Sequence, residues 1–359
     1  MARPIVVVED DPITRLIEVV LDPRCSGERQ KAFADFVAHD VPDFAGWCAQ
    51  VRGRVPRLYP ADVRLPRTPE EMSAQIGEAD ALVVESFAVT ASDLARAERL
   101  RALQKFGVTL RNIDGAACAA KGIKVLTLRR RSNIATAEHA ITLMLMLARR
   151  THEFSGAISV ARLQAAGYPY KPFDRRHAPN GNWGRIPGIR TLYGGALGII
   201  GLGEIGREIA LRAVAFGMRV LYHQRTRLSP AEETALGVAY SELDALLAES
   251  DWLIPQLPTA PETRHFLDRA RLARLKRGAC IVNVARADLI DRAALIAGLQ
   301  AGHLGGFALD PQYEAPGRSD DELLRFRNVI LVPHLAGSPR WNALNDCEDV
   351  IVGLADALA

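Results

Sequence analysis

No apolar stretch of the 359-residue chain approaches the length needed to span a bilayer. The opening "MARPIVVVEDDP" carries an apolar run too short for a signal peptide, and acids follow it at once. Cysteine is scattered: Cys25, Cys48, Cys118, Cys280 and Cys347 show no C-x-x-C spacing, so neither a disulfide framework nor a metal site can be read. Cys280 lies in an apolar strand pattern and reads as a core residue. Basic charge is nowhere concentrated. The net charge is +3, and the longest basic run is Arg129 to Arg131. A nucleic-acid-binding face needs more than that. The run reads either as a solvated turn or as a contact to an anionic ligand. These shortages predict a cytoplasmic protein without metal, membrane or nucleic-acid partners.

What is present is enough apolar residue, 48% of the chain, to fill two cores. Short apolar runs at 4–9, 79–86, 102–107 and 124–128 alternate with helical patterns such as "TASDLARAERL". That alternation implies a parallel sheet with helices on its faces. Residues 24–60 fit poorly and read as an insertion or an irregular helix. "NIATAEHAITLMLMLARR" is apolar nearly all round, which predicts a buried helix with Ser132 or Asn133 as its N-cap. Roughly fifty Gly-, Pro- and Arg-rich residues follow, too many for an idle loop in a compact domain. They suit an arm that packs on a second copy, or a loose surface excursion.

From Ala196 a second alternating series begins: "ALGIIG", "MRVLYH", "DWLIPQL", "ACIVNV", "GGFALD" and "NVILVPH". Gly201, Gly203 and Gly206 have the G-x-G-x-x-G spacing between a strand and an amphipathic helix. The helix keeps Ile205, Ile209, Ala213 and Phe216 on one face, and Gly217 stops it. In that context the first glycine permits a tight turn, the second lets a pyrophosphate approach, and the third lets helix and strand pack closely. Glu204 and Ile205 open the helix, whose free N–H groups and positive end favour the anion. An acid at the end of the next strand would accept the ribose hydroxyls of NAD(H). Gln224 stands there instead, followed by Arg225, Thr226 and Arg227. Arginine forks suit a 2′-phosphate, so NADP(H) is the favoured cofactor and NAD(H) the alternative.

Arg286 follows "CIVNVA" and His334 follows "NVILVP", each at the carboxyl end of a strand, where open α/β sheets bind ligands. A guanidinium can clasp a carboxylate, and an imidazole can exchange a proton with an alcohol oxygen. Beside a nicotinamide, that pair suits interconversion of a hydroxy acid and a keto acid.

The segments "FGVTLRNID", "NIATAEHAITLMLMLAR", "LGIIGLGEIG", "LPTAPETRHFL", "GACIVNVARADLIDRAAL" and "VPHLAG" resemble the D-isomer-specific 2-hydroxyacid dehydrogenase family over about Leu103 to Gly337. The resemblance implies two doubly wound parallel-sheet α/β domains. A Rossmann cofactor domain over 131–334, with a dimerisation arm around 151–195, would be inserted into a flavodoxin-like substrate domain of 1–130 and 335–359. It implies a homodimer. Arg286 matches the substrate-binding arginine and His334 the acid/base histidine. Gly107, Val108, Thr109 and Leu110 match the loop whose N–H groups hold the substrate carboxylate, with Thr109 in place of a usual glycine. Pro258, Thr263, Ala285, Asp310 and His334 fall at cofactor-contacting positions. Family members with Arg at the end of the second strand, the glyoxylate/hydroxypyruvate reductases among them, tend to use NADP(H).

One departure concerns the histidine's partner. The family places a glutamate directly before proline, whereas here "DPQYEAP" puts Ala315 there and Glu314 one residue earlier. Pro311 replaces a usual valine and can bend the loop. Either Glu314 shifts to reach His334, or it is a solvated loop acid and the imidazolium lacks its partner. Glu85 and Ser86 end a strand of the first domain, where an acid would disfavour a second substrate carboxylate or simply cap the loop. Trp341 reads as pocket border, interface or core. The expected activity is hydride transfer between NADP(H) and a 2-keto/D-2-hydroxy acid pair. The alternatives are a dinucleotide-sensing regulator of the same fold and a phosphoglycerate dehydrogenase-like enzyme.

Overall fold

The computed structural model describes residues 3–359. The chain forms two compact units, one of residues up to Ala135 together with Gly337–Ala359, the other Thr136–Ala336. The sequence pattern sets the junctions at 130/131 and 334/335, a few residues earlier.

The first unit runs β1 (Ile5–Val8), α1 (Arg15–Leu21), α2 (Gly27–Val37), α3 (Phe44–Arg54), β2 (Asp62–Arg64), α4 (Pro69–Gln75), β3 (Ala81–Val84), α5 (Ala91–Arg96), β4 (Ala102–Lys105), α6 (Gly115–Ala120) and β5 (Lys124–Leu126). Its five parallel strands take the order β2-β1-β3-β4-β5. Strands as short as "IVVV" and "ALVV" hold because both faces are covered: Val6, Val7, Val8, Leu82, Val83 and Val84 are all fully buried. Residues 24–60 are not irregular, as their lack of period suggested. They make α2 and α3, N-capped by Ser26 and Asp43 through the N–H groups of Arg29 and Gly46. Mixed polarity obscured these helices because much of α2 faces solvent and only Val37 in it is fully buried. Strand β2 escaped the sequence reading because it is three residues long.

Helix α7 (Arg131–Arg149) begins one residue before Ser132 and two before Asn133, so both lie in its first turn rather than at its N-cap. Ala140, Leu143, Met144 and Ala148 are buried in the core of the second unit, which accounts for its nearly uniform apolarity. Two short helices, α8 (Thr151–Phe154) and α9 (Val160–Ala165), interrupt an otherwise irregular stretch up to Gly195.

The second unit continues with β6 (Ala196–Ile200), α10 (Glu204–Ala215), β7 (Arg219–His223), α11 (Pro230–Leu236), β8 (Val238–Tyr240), α12 (Leu243–Glu249), β9 (Trp252–Pro255), α13 (Arg269–Ala273), β10 (Ala279–Asn283), α14 (Arg292–Gln300), β11 (Leu304–Leu309) and β12 (Val329–Leu331). Helix α15 (Trp341–Leu358) returns to the first unit. All seven strands are parallel, in the order β12-β11-β10-β9-β6-β7-β8. The strand order reverses between β6 and β9, the switch point at which such sheets bind ligands. Ile209 and Ala213 of α10 are buried, whereas Phe216, assigned to the same face, is 42% exposed beyond the helix end. Gly217 then takes the left-handed φ of 72° that terminates the helix. All five cysteines are buried and unpaired. Among the described residues no helix is long and apolar enough to cross a membrane.

Candidate active site

The glycine loop follows β6 directly. Gly201 has φ 92°, and a Cβ there would lie 2.4 Å from the carbonyl oxygen of Gln256. A Cβ at Gly206 would lie 2.6 Å from the carbonyl oxygen of Gly201. Backbone packs against backbone at both positions, so neither admits a side chain. Gly203 differs: nothing stands within 4 Å of its would-be Cβ. That open space lies at the N-terminus of the twelve-residue α10, where the helix dipole favours an anion.

The residues after β7 divide by what already holds them. The Gln224 side chain turns inward, its Oε1 accepting the Leu202 N–H (3.2 Å) and its Nε2 donating to the Thr226 carbonyl (2.6 Å). It braces the glycine loop. Arg227 forms a two-pronged ion pair with Glu233 (2.8 and 2.9 Å), whose carboxyl it holds down to about 2. Arg225 is exposed and has no hydrogen bond or ion pair among the described residues.

Further along the same sheet edge, β10 leads into Asn283, whose amide ties Ala285 N–H and the Arg286 carbonyl. Arg286 is exposed, with Nη1 donating to the Ala285 carbonyl at 2.7 Å. It lines a cavity of about 330 Å³ with Thr259, Pro261, Thr263 and Asp288. The Thr263 hydroxyl donates to the Pro258 carbonyl (2.7 Å), which fixes that rim.

Asp310, at the end of β11, is completely buried. Its Oδ2 accepts the Ala336 N–H at 2.6 Å, which pins the loop after β12. That loop carries His334 in a left-handed conformation, φ 58°, with the ring exposed. A non-glycine residue there costs about 1–3 kcal/mol and persists only where neighbours dictate it. The Asp310 carboxylate and the His334 N–H bond to Val332 O (3.0 Å) are those neighbours.

Of the two readings of Glu314, the structure has the solvated loop acid. No hydrogen bond or ion pair joins it to His334 among the described residues. It is exposed and opens on a different cavity of about 300 Å³, with Arg292 and Arg318. Gln312 reaches the β12 loop instead, through a hydrogen bond from Nε2 to the Val332 carbonyl. The offset of one residue from the usual pattern turns the acid outward, and Tyr313, bonded to the Ile290 carbonyl (3.1 Å), anchors the loop in that register.

Two further residues, His139 and Gln256, went unseen in the sequence, and both involve polar atoms without partners. His139 of α7 brings Nε2 to 3.4 Å from Asp310 Oδ2, an electrostatic approach without hydrogen-bond geometry. Burial lowers its pKa from 6.5, and the nearby Asp310 charge opposes that shift. Asp310 Oδ1 and Gln256 Nε2 are buried polar atoms without partners. Both stand at carboxyl ends of strands, β11 and β9, and a buried polar atom left unpaired is costly. The open glycine cradle, the orphaned acceptor and the orphaned donor fit a nicotinamide dinucleotide.

These features define a dinucleotide-binding unit of an oxidoreductase. The model of the D-isomer specific 2-hydroxyacid dehydrogenase NAD binding domain matches residues 141–336. A glyoxylate reductase of Thermococcus kodakarensis is 32% identical over 295 residues, covering 82% of this chain and 84% of that protein. A D-3-phosphoglycerate dehydrogenase of Methanocaldococcus jannaschii is 35% identical over 272 residues, covering 76% of this chain but 48% of that protein. Among solved structures, a Pyrococcus horikoshii protein superposes with a TM-score of 0.57 at 26% identity, covering 99% of this chain and 91% of that one. The chain belongs to the D-isomer specific 2-hydroxyacid dehydrogenase family. It is an oxidoreductase of 2-hydroxy acids with a nicotinamide dinucleotide cofactor.

Two outcomes follow from this geometry. Gly206→Ala should lower the melting temperature, because its Cβ meets backbone. Gly203→Ala should leave that temperature within a degree or two yet weaken dinucleotide binding, as read by fluorescence titration. The His139 effect has a definite sign. The folded state holds this proton less tightly than the unfolded chain, so stability falls as pH drops below about 6.5. His139→Gln should flatten that part of the melting temperature profile between pH 7 and 5; superimposable profiles would contradict it.

Proposed function

We propose that this enzyme reduces a small 2-keto acid to the D-2-hydroxy acid with NADPH. The observation that carries the reading is the placement of Arg286 and His334. They follow β10 and β12, which flank β11, so their strands stand about 10 Å apart. Both side chains are exposed beyond the same carboxyl edge.

In this mechanism Arg286 clasps the substrate carboxylate and polarises the keto oxygen; a role of the residue 107–110 N–H groups with a carboxylate is assigned from the family resemblance alone. A bound reduced nicotinamide supplies the hydride to C2. His334 donates its proton to the developing alkoxide oxygen and returns to the neutral form. Its loop, fixed by Asp310, keeps the imidazole aimed without a carboxylate partner from residue 314. Asp310 Oδ1 and Gln256 Nε2 would hold the nicotinamide end of the cofactor, and the loop from Gly201 to Gly206 its pyrophosphate. Arg225 is the group we assign to the 2′-phosphate, because it is unengaged and no acid ends β7 to repel that charge. Arg227 would join it only by releasing Glu233. We further propose a cytoplasmic homodimer. Five buried, unpaired thiols fit a reducing compartment, and the irregular stretch after α7, with Ile158 and Tyr193 about four-fifths exposed, fits an intersubunit arm.

The test is oxidation of NADPH and NADH followed at 340 nm with glyoxylate, hydroxypyruvate, pyruvate and bulkier keto acids. Arg286→Ala should lose about 100- to 1,000-fold in kcat/KM; an undiminished value would contradict its role. Arg225→Ala should cost about 10- to 100-fold with NADPH while sparing NADH, the loss of one hydrogen bond to a charged group. A wild-type preference for NADH would refute the cofactor assignment.

A further inference from the structure

The carboxyl edge of the first unit's sheet carries a charged constellation that the mechanism above leaves unused. Glu9 follows β1, Glu85 follows β3, and Lys105 and Phe106 end β4, three neighbouring strands. Glu9 is only 4% exposed. Its carboxylate accepts the N–H groups of Glu85 (2.7 Å), Ser86 (2.8 Å) and Phe87 (3.0 Å), together with the Ser86 hydroxyl. One buried acid thus dictates the course of the loop after β3. The carbonyl of Glu85 accepts a hydrogen bond from Lys105 Nζ, which fixes the residue from its other side.

The Glu85 side chain is held as well. Arg130 Nη1 donates to its Oε1 at 2.8 Å, and the guanidinium lies 4.4 Å from the centre of the Phe106 ring. Phe106 donates its N–H to Val84 (2.8 Å), and the Gly107 carbonyl accepts from Leu128 (2.8 Å). Glu85 is therefore anchored next to the start of the 107–110 loop. Its second oxygen, Oε2, has no partner among the described residues, and the side chain remains 35% exposed. Burial raises its pKa, as do the charges of Asp11 and Glu9, while Arg130 opposes them.

We propose that Glu85 selects the distal end of the substrate. It accepts a hydrogen bond from a hydroxyl or amine carried beyond the keto carbon, and it rejects substrates with a distal carboxylate or phosphate. The inference rests on the keto-acid reductase reading and on carboxylate binding by the 107–110 loop. Adjacent strands lie about 4.8 Å apart, so a compact acid of three or four carbons reaches from that loop to Glu85. A second anion placed there would meet the half-buried Glu85 carboxylate, where solvent screens the repulsion only in part.

The experiment compares kcat/KM for hydroxypyruvate, oxaloacetate and 3-phosphohydroxypyruvate, each divided by the value for pyruvate, which carries no distal polar group. Wild-type enzyme should favour hydroxypyruvate and disfavour both distal anions. Glu85→Gln should lower the hydroxypyruvate ratio and raise the two anion ratios, each by about tenfold. Glu85→Asp, which keeps the charge, should retain the wild-type order, and melting curves confirm that both variants fold. A wild-type preference for a distal anion would make Arg130 the reading group and overturn the inference. So would ratios that Glu85→Gln does not move, with reduction itself intact. Absence of any keto-acid reduction would instead sink the function proposed above, and this inference with it.

Discussion

The contact between the Asp310 carboxylate and the Ala336 N–H ties the end of β11 to the segment after β12. With the His334 N–H bond to the Val332 carbonyl, it holds His334 in its left-handed backbone. The Asp310 bond is short, fully buried and charge-assisted, the category of hydrogen bond that contributes most. The same carboxylate leaves one oxygen unpaired and draws His139 near. A single side chain therefore shapes the proton-donor loop, offers an acceptor at the sheet edge, and sets the electrostatic surroundings of α7.

Both sheets follow one construction rule. Their interior strands are short, apolar and covered on both faces, and polar function begins within three residues beyond each strand. Glu9, Glu85 and Phe106–Gly107 mark those positions in the first unit; Gly201, Gln256, Arg286, Asp310 and His334 mark them in the second. The core fixes where the strands end, and the strand ends fix where the chemistry can sit. Buried carboxylates then set the loop shapes, Glu9 through three N–H groups and Asp310 through one.

Much of this was legible in the sequence because the underlying signals are local. The glycine spacing, the apolar strands of the second unit and the strand-end positions of Arg286 and His334 depend on neighbours a few residues away. The α2–α3 segment was not legible, since α2 fully buries only Val37 and its mixed polarity shows little period. The start of α7 was placed too late because Ser and Asn are good caps wherever they fall, and Asp346 claims Arg131 and Ser132 from far along the chain. Glu314 was ambiguous for a different reason. Whether an acid one residue out of place turns inward depends on how Tyr313 and Gln312 anchor the loop, which is a tertiary matter. Gln224 and Arg227 show the same limit, for their type suggested ligand contact while Leu202 and Glu233 hold them internally. His139 gave no signal at all, being one polar residue in an apolar helix.

The placement of the thiols has a consequence for handling the protein. Burial pushes Cys25 and Cys48 up to about 11 and also raises Cys118, Cys280 and Cys347, so little thiolate exists at neutral pH in the folded chain. Cys280 alone belongs to the second unit and the other four to the first. An alkylating reagent would therefore tag each unit only when it opens, giving two natural clocks, already encoded, for watching the halves of the molecule breathe separately.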